Sequence, residues 1–403
     1  MSRLYKRISA IFVMLISILL SGHYLSTVIP GIRSYICALL VLFVIIPVFL
    51  KYNRQLFLLQ TSGDKVAAIL GVIAIVSMIV NLEVKRWFSY LIYITTILFA
   101  LYITKRYSFV KFRQVFQNIV VIIAIISLVV FGLNFIGTKV PLSSVDSMNG
   151  VSYANGYLVT FNTSEYAFFR NFGCFWEPGL FASILIYALI LECFNDKMSY
   201  LRILLYTITV VTTFSAAGYV LLLPVLLFIL LKKKESKLSN IVQFLSIILV
   251  LLILFFSNNI LTFLTQAVPI VGDKLFSGNE LLISTSRIDS VFKNLDIFLK
   301  NPLFGKGCYG INEAYSSQIA QTSTFAGMLA TFGVGGIFYT IAWVCAIFKC
   351  DITGIGGRIC LFIIMVSILN KEPHTYILIS WVLLFYLLDY SERKQEYVGN
   401  VDT

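Results

Sequence analysis

The chain has little charge. Only 12% of its 403 residues are Asp, Glu, Lys or Arg, about half of the roughly 25% found in a soluble domain. Hydrophobic residues make up 59%, and the mean hydropathy is +0.90. Those values exclude a soluble enzyme, a coiled coil and a disordered chain. Histidine is almost missing: His23 and His374 stand far apart, and the seven cysteines form no C-x-x-C pair, so no zinc pattern is present. A P-loop is lacking, as is a D-x-D motif that would hold a metal for a nucleotide sugar. The expectation is therefore no metal and no cofactor. Internal repeats and low-complexity tracts are also lacking. The apolar runs are continuous rather than alternating, against a transmembrane β-barrel.

What is present is apolar runs of helical length. At about 20 residues per crossing, twelve candidate helices emerge: 8–29, 35–50, 66–82, 88–104, 115–137, 178–194, 202–217, 218–231, 238–260, 323–348, 358–370 and 375–389. The pair 202–217 and 218–231 would be joined at the "SAAGY" turn around Gly218. This predicts an all-α polytopic membrane protein, a single integral membrane domain over residues 1–403. No small-residue cleavage site follows the first helix, so it reads as a span. With the N-terminus in the cytoplasm, 20 of the 31 Lys and Arg fall inside and 11 outside, an excess that supports both termini inside. The acidic residues divide nine inside and ten outside, so the formal +12 resolves into +11 inside and +1 outside. The basic balance records membrane orientation, and nucleic acid is not an expected partner.

Two connections are long, 138–177 and 261–322, and both fall outside. Long loops in a compact membrane protein are usually functional. In the first, Asn149-Gly150 and Asn155-Gly156 are turn dipeptides, and Val151 to Phe161 is a candidate β-hairpin. The loop converges on Arg170, Gly173, Phe175, Trp176, Glu177 and Pro178. Pro178 suits a first helical turn, which sets Glu177 at a helix's positive end. There it is either a capping acid or an acid held at the membrane boundary next to Arg170. Trp176 is a sugar-stacking ring or an interfacial anchor. The second loop holds an amphipathic helix at 287–300, with Ile288, Val291, Phe292, Leu295, Phe298 and Leu299 on one stripe. Ser286 is its expected N-cap, and Asn301-Pro302 its stop. Such a helix lies along the membrane surface or roofs a cavity. Arg287 in its first turn opposes the helix dipole unless an anion sits there. Gly305, Gly307 and Gly310 suit a backbone that turns N–H groups toward an anion.

Arginine grips phosphate oxygens in a fork, aromatic faces suit sugar rings, and a carboxylate can act as general base on a sugar hydroxyl. Outside the cell nucleotide donors are absent, so the substrate must be an energised, lipid-linked one.

The stretch Arg170-Asn171-Phe172-Gly173-Cys174-Phe175-Trp176-Glu177-Pro178-Gly179 resembles the R-x-x-G-x-F-x-E-P motif of Wzy-type polysaccharide repeat-unit polymerases. Ser286-Arg287, followed by Asn301-Pro302-Leu303-Phe304-Gly305-Lys306-Gly307, resembles that family's second external motif. The Gly-rich run Gly327 to Gly336 follows as in the related O-antigen ligases. The resemblance implies a GT-C-like, metal-independent, inverting glycosyltransferase at the outer face of a bacterial cytoplasmic membrane. It would join oligosaccharide repeat units carried on undecaprenyl diphosphate, with a flippase and a chain-length regulator as partners. Carried over by motif, Arg170 and Arg287 would stabilise the diphosphate leaving group, and Glu177 would act as base or orient the acceptor. Trp176, Gly305, Gly307, Tyr309 and His374 are the expected substrate contacts. Related ligases carry a His before the Gly-rich helix. Here Gln318, Gln321, Thr322, Ser323 and Thr324 stand there, which argues against a ligase. The alternatives are a sugar ligase or peptidoglycan-type polymerase, and a lipid-linked oligosaccharide flippase or other transporter. A transporter would place ionisable residues inside its spans, and this chain places almost none there. Cys174 and Cys308 are the two external cysteines, one per motif loop. An oxidising exterior permits a bridge between them, and a free pair is the favoured expectation.

Overall fold

The computed structural model describes residues 3–47, 60–136, 142–147, 152–156, 160, 170–195, 197–232, 285–315, 321–350 and 354–390. The expected span 238–260 and the start of the second long loop lie outside the described residues. In chain order come helix α1 (Arg3–Leu19), α2 (Ile32–Leu40, continued by a π turn), α3 (Ser62–Val80), α4 (Phe88–Arg106) and α5 (Phe109–Phe135). A two-stranded antiparallel ribbon follows, β1 (Ser143–Asp146) against β2 (Ser152–Asn155). Next are α6 (Pro178–Glu192), α7 (Tyr200–Thr212) and α8 (Ala216–Lys232). The C-terminal part holds α9 (Thr285–Lys300), α10 (Gly307–Ala314), α11 (Thr324–Phe332), α12 (Ile337–Lys349), α13 (Ile355–Leu369) and α14 (Leu378–Leu388). Local sequence explains several starts. Thr61 and Asp64 close a capping box on α3, Ser108 and Ser199 cap α5 and α7, and Pro178 opens α6.

Burial sorts the helices into a centre and a rim. Helices α6 and α14 are buried at every position. Around them, α3 exposes Ile69, Val72, Val76 and Ile79, α5 exposes Ile122, Ile125, Val129 and Leu133, and α7 exposes Leu201, Leu204, Ile208 and Val211. Each set recurs at helical spacing, so each rim helix turns an apolar stripe outward. Such surfaces suit hydrocarbon rather than water. Among the described residues four helical stretches are long and apolar enough to cross a membrane: α3, α4, Phe109–Asn134 of α5, and Thr324–Lys349, which joins α11 to α12. Shorter apolar helices of 10–17 residues accompany them. This is the architecture of a helical membrane protein.

Polar contacts gather at the two ends of the bundle. At one end Lys105 pairs with buried Asp64 at 2.8 Å, Gly63 N donates to Asp389, and Arg202 approaches Glu192 at 3.7 Å. At the other, Arg86 pairs with Glu313 and Lys371 donates to Gly179 O. Each pair joins residues that the charge count had put on one side.

Several boundaries depart from expectation. The first helix stops at Leu19 instead of running to 29, because Gly22 adopts φ +97° and the chain peels away toward the 170s. The break between α7 and α8 is at Phe214, with φ +46°, rather than at Gly218. Gly218 lies inside α8, where an added Cβ would sit 3.0 Å from Ala182 Cβ, so this glycine serves close packing of α8 on α6. The hairpin begins upstream of Val151–Phe161, at Ser143, and only its second strand falls in that stretch. Helix α9 starts at Thr285, so Ser286 is inside the first turn rather than capping it. The Gly-rich segment expected as a loop opens helix α10.

Candidate functional site

The segment Cys174–Trp176 runs extended against Gly22–Tyr24. Tyr24 N donates to Cys174 O at 3.0 Å and Trp176 N to Gly22 O at 3.1 Å. Gly173 sits at φ +56°, where an added Cβ would meet the Phe181 ring at 2.9 Å, so the chain turns here only with glycine. This turn delivers Glu177 to the N-cap of α6, with Pro178 as the first helical residue. The Glu177 side chain makes no cap hydrogen bond. Across Gly179 it meets a second acid and a base. A Cβ on Gly179 would fall 2.7 Å from Glu177 Oε1, 3.3 Å from Glu372 Oε1 and 3.3 Å from Lys371 Cε. Lys371 Nζ donates to Gly179 O at 2.7 Å, and Lys371 and Glu372 are both buried. The missing side chain at Gly179 is what lets these three groups converge. They converge on the N-terminal end of α6, where the helix dipole favours negative charge.

Trp176 is half-buried, and the Arg33 guanidinium lies over its ring at 4.4 Å. Arg33 was only a counted external cation in the sequence. Its signal was available: it follows Gly31 at the start of a helix, the same uphill position that drew notice to Arg287. Glu372 and Lys371 were likewise missed, because a carboxylate next to a lysine reads as solvated surface until burial is known.

Arg170 points elsewhere. Its Nε donates to Thr213 O at 3.1 Å and its Nη2 to Phe214 O at 2.9 Å. Next to it, Asn171 N donates to Thr212 O at 3.0 Å. The guanidinium thus binds the carbonyls that end α7, where a cation is favoured. Arg287 lies in the first turn of α9.

The Gly-rich turn does aim backbone N–H groups at an anion, and the anion is the protein's own. Gly310 N and Tyr309 N donate to the two carboxylate oxygens of Glu83 at 2.7 and 3.2 Å. Tyr90 OH donates to Glu83 at 2.5 Å. Gly307, at φ +78°, would place a Cβ 2.5 Å from that carboxylate, and Gly305, at φ +68°, would place one 2.3 Å from the Thr331 backbone. These donors are therefore committed to Glu83; Gly307 makes room for that latch, and Gly305 for the close approach of Thr331. The Tyr309 ring carries the Arg86 guanidinium at 3.4 Å, and Arg86 in turn pairs with Glu313.

His374 is fully buried. Its Nδ1 is 2.7 Å from Ser380 Oγ and 3.2 Å from Tyr187 OH, and its backbone N donates to Thr324 Oγ1. Burial, reinforced by the Lys371 charge and opposed by the Ile368 carbonyl, lowers its pKa to about 3. It is therefore a neutral ring tying the 371–376 turn to α6 and α14, set among side chains rather than facing outward. Cys174 and Cys308 are both free and buried.

The structure therefore sets Arg33 on the Trp176 ring and brings Glu177 together with Lys371 and Glu372 around Gly179. It directs Arg170 to a helix end and Gly307 and Tyr309 to Glu83. No protein-family model matches the chain, and no curated protein matches it.

Proposed function

We propose that this chain is a Wzy-type polymerase, with about twelve transmembrane helices in a GT-C-like arrangement and both termini in the cytoplasm of a bacterial cell. It would join undecaprenyl-diphosphate-linked oligosaccharides at the outer face of the cytoplasmic membrane, by inverting glycosyl transfer that releases lipid diphosphate. The observation that carries this reading is the convergence over Gly179. There the Glu177 carboxylate, free of any cap bond, stands beside Lys371 and Glu372 at the N-terminal end of the buried helix α6. That arrangement suits a base for an incoming sugar hydroxyl. Departure of a diphosphate develops negative charge, which fixed cations stabilise in the transition state. Lys371 is one such cation.

The test is direct. Purified protein in lipid nanodiscs receives undecaprenyl-diphosphate repeat units without nucleotide or added metal. A ladder of products spaced by one repeat unit is expected. Transfer of a single unit with no ladder identifies a ligase instead, and absence of any transfer from competent substrate refutes the proposal.

A further inference from the structure

Two nitrogens of Arg33, Nε and Nη2, are buried without a hydrogen-bond partner. They form one edge of the guanidinium, where two N–H bonds run parallel and match a pair of oxygens. The Trp176 face under Arg33 attracts the positive charge, but stacking leaves these in-plane donors unused. Arg33 is the second residue of α2, where the helix dipole repels a cation. Among the described residues no carboxylate pairs with it. A half-buried cation with two buried, idle donors is a costly arrangement, and a bound anion relieves it.

We infer that Arg33, stacked on Trp176, is the anion-binding residue of the outer site and holds a phosphate or diphosphate group along its free edge. Arg170, the motif's own arginine, donates its Nε and Nη2 to Thr213 O and Phe214 O, the same edge that Arg33 leaves unused. Arg33 takes over the phosphate contact that the motif assigned to Arg170. Trp176 holds the guanidinium in place and lies one residue before Glu177, so a diphosphate gripped here brings the sugar it carries toward the Gly179 convergence. The inference rests on the glycosyl-transfer reading only for the lipid that carries the diphosphate.

The experiment measures binding without turnover. Full-length protein in nanodiscs is titrated with undecaprenyl diphosphate and, separately, with inorganic pyrophosphate, and melting temperature is followed in parallel. Wild type should bind undecaprenyl diphosphate saturably and melt higher with it. Arg33→Gln should weaken binding at least tenfold while its unliganded melting temperature holds or rises, because two unpaired buried donors of a cation are removed. The same loss for pyrophosphate identifies the free anion as a sufficient ligand. If Arg33→Gln does not fold, Arg33→Lys, which keeps the charge without the fork, should bind several-fold more weakly. Equal affinity of wild type and the folded variant for both probes, or no binding of either probe by wild type, overturns the inference. A chain that forms no ladder yet binds through Arg33 sinks the polymerase reading alone. A ladder-forming chain whose binding ignores Arg33 sinks this inference alone.

Discussion

A Cβ at Gly305 would lie 2.3 Å from the Thr331 carbonyl, at a backbone φ of +68°. The clash is with backbone, so no side-chain rotation relieves it, and the left-handed φ adds its own strain. Gly305→Ala should therefore destabilise the fold by about 2 kcal/mol or more, read as a lowered melting temperature in detergent. Glu177→Gln is the contrasting residue. Its carboxylate makes no cap bond, so the melting temperature should hardly move, while lipid-linked single repeats accumulate in place of polymer. Wild-type polymer lengths on a gel would refute its role. His374 gives a pH signature. Its pKa is about 3 when folded against roughly 6.5 when unfolded. The unfolded state then binds more protons between those values. Stability is complete above about pH 6.5 and declines as pH falls toward 3. His374→Gln should flatten the fall in melting temperature between pH 7.5 and pH 4.5. At this scale the sequence announced that Gly173, Pro178, Gly305 and Gly307 were special. It did not say which anion Gly307 makes room for, because Glu83 stands more than 200 positions away and only folding brings it there.

At the scale of elements, α9 reverses the ordinary arrangement of an amphipathic helix. Among its described side chains, over 290–300, the buried ones are Ser290, Asn294 and Ile297, while Phe292 and Leu299 are exposed at 65% and 74%. Ser290 Oγ accepts from Thr322 N, and Tyr315 OH donates to Ser290 O, so the inner face is held by hydrogen bonds. An apolar stripe turned away from the protein fits the expected position along the membrane surface. Phe292→Trp should add emission that brominated phospholipids quench, whereas Asp296→Trp, exposed on the more polar flank, should be quenched much less. Equal quenching at the two positions would remove α9 from the lipid surface. The helix itself was legible because its apolar residues recur at helical spacing and Asn301-Pro302 ends it. The protein-facing side was not legible, since hydropathy ranks Ser290 and Asn294 as solvent-seeking and cannot register the partners of Ser290, Tyr315 and Thr322. The same blindness extended the first helix to 29. Its mean hydropathy stays high across Ser21, Gly22 and His23, and the left-handed Gly22 with the pairing of Gly22–Tyr24 to Cys174–Trp176 explains why the chain leaves the helix.

Across the whole molecule, charge and burial carry separate information. Lys and Arg counts set which residues share a side, and the ion pairs Asp64–Lys105 and Arg86–Glu313 join residues of one side each. Neither pair crosses the apolar belt made by the outward stripes of α3, α5 and α7. Which end faces the cytoplasm follows from the positive-inside asymmetry alone. Single cysteines at exposed end positions test it, because the native cysteines are buried except Cys345, which lies within the apolar helix α12. Glu313→Cys should react with a membrane-impermeant maleimide on intact cells lacking an outer-membrane barrier. Lys349→Cys, whose parent side chain reaches Ser62 at the opposite end, should react only after lysis. The reverse pattern would invert the topology and put the Gly179 convergence in the cytoplasm. There nucleotide sugars are available, and the physical case for a lipid-diphosphate donor would be lost. The orientation experiment therefore bears on the chemistry as well: a site with a few placed cations and no metal motif needs an energised substrate delivered from the bilayer only if it opens outside.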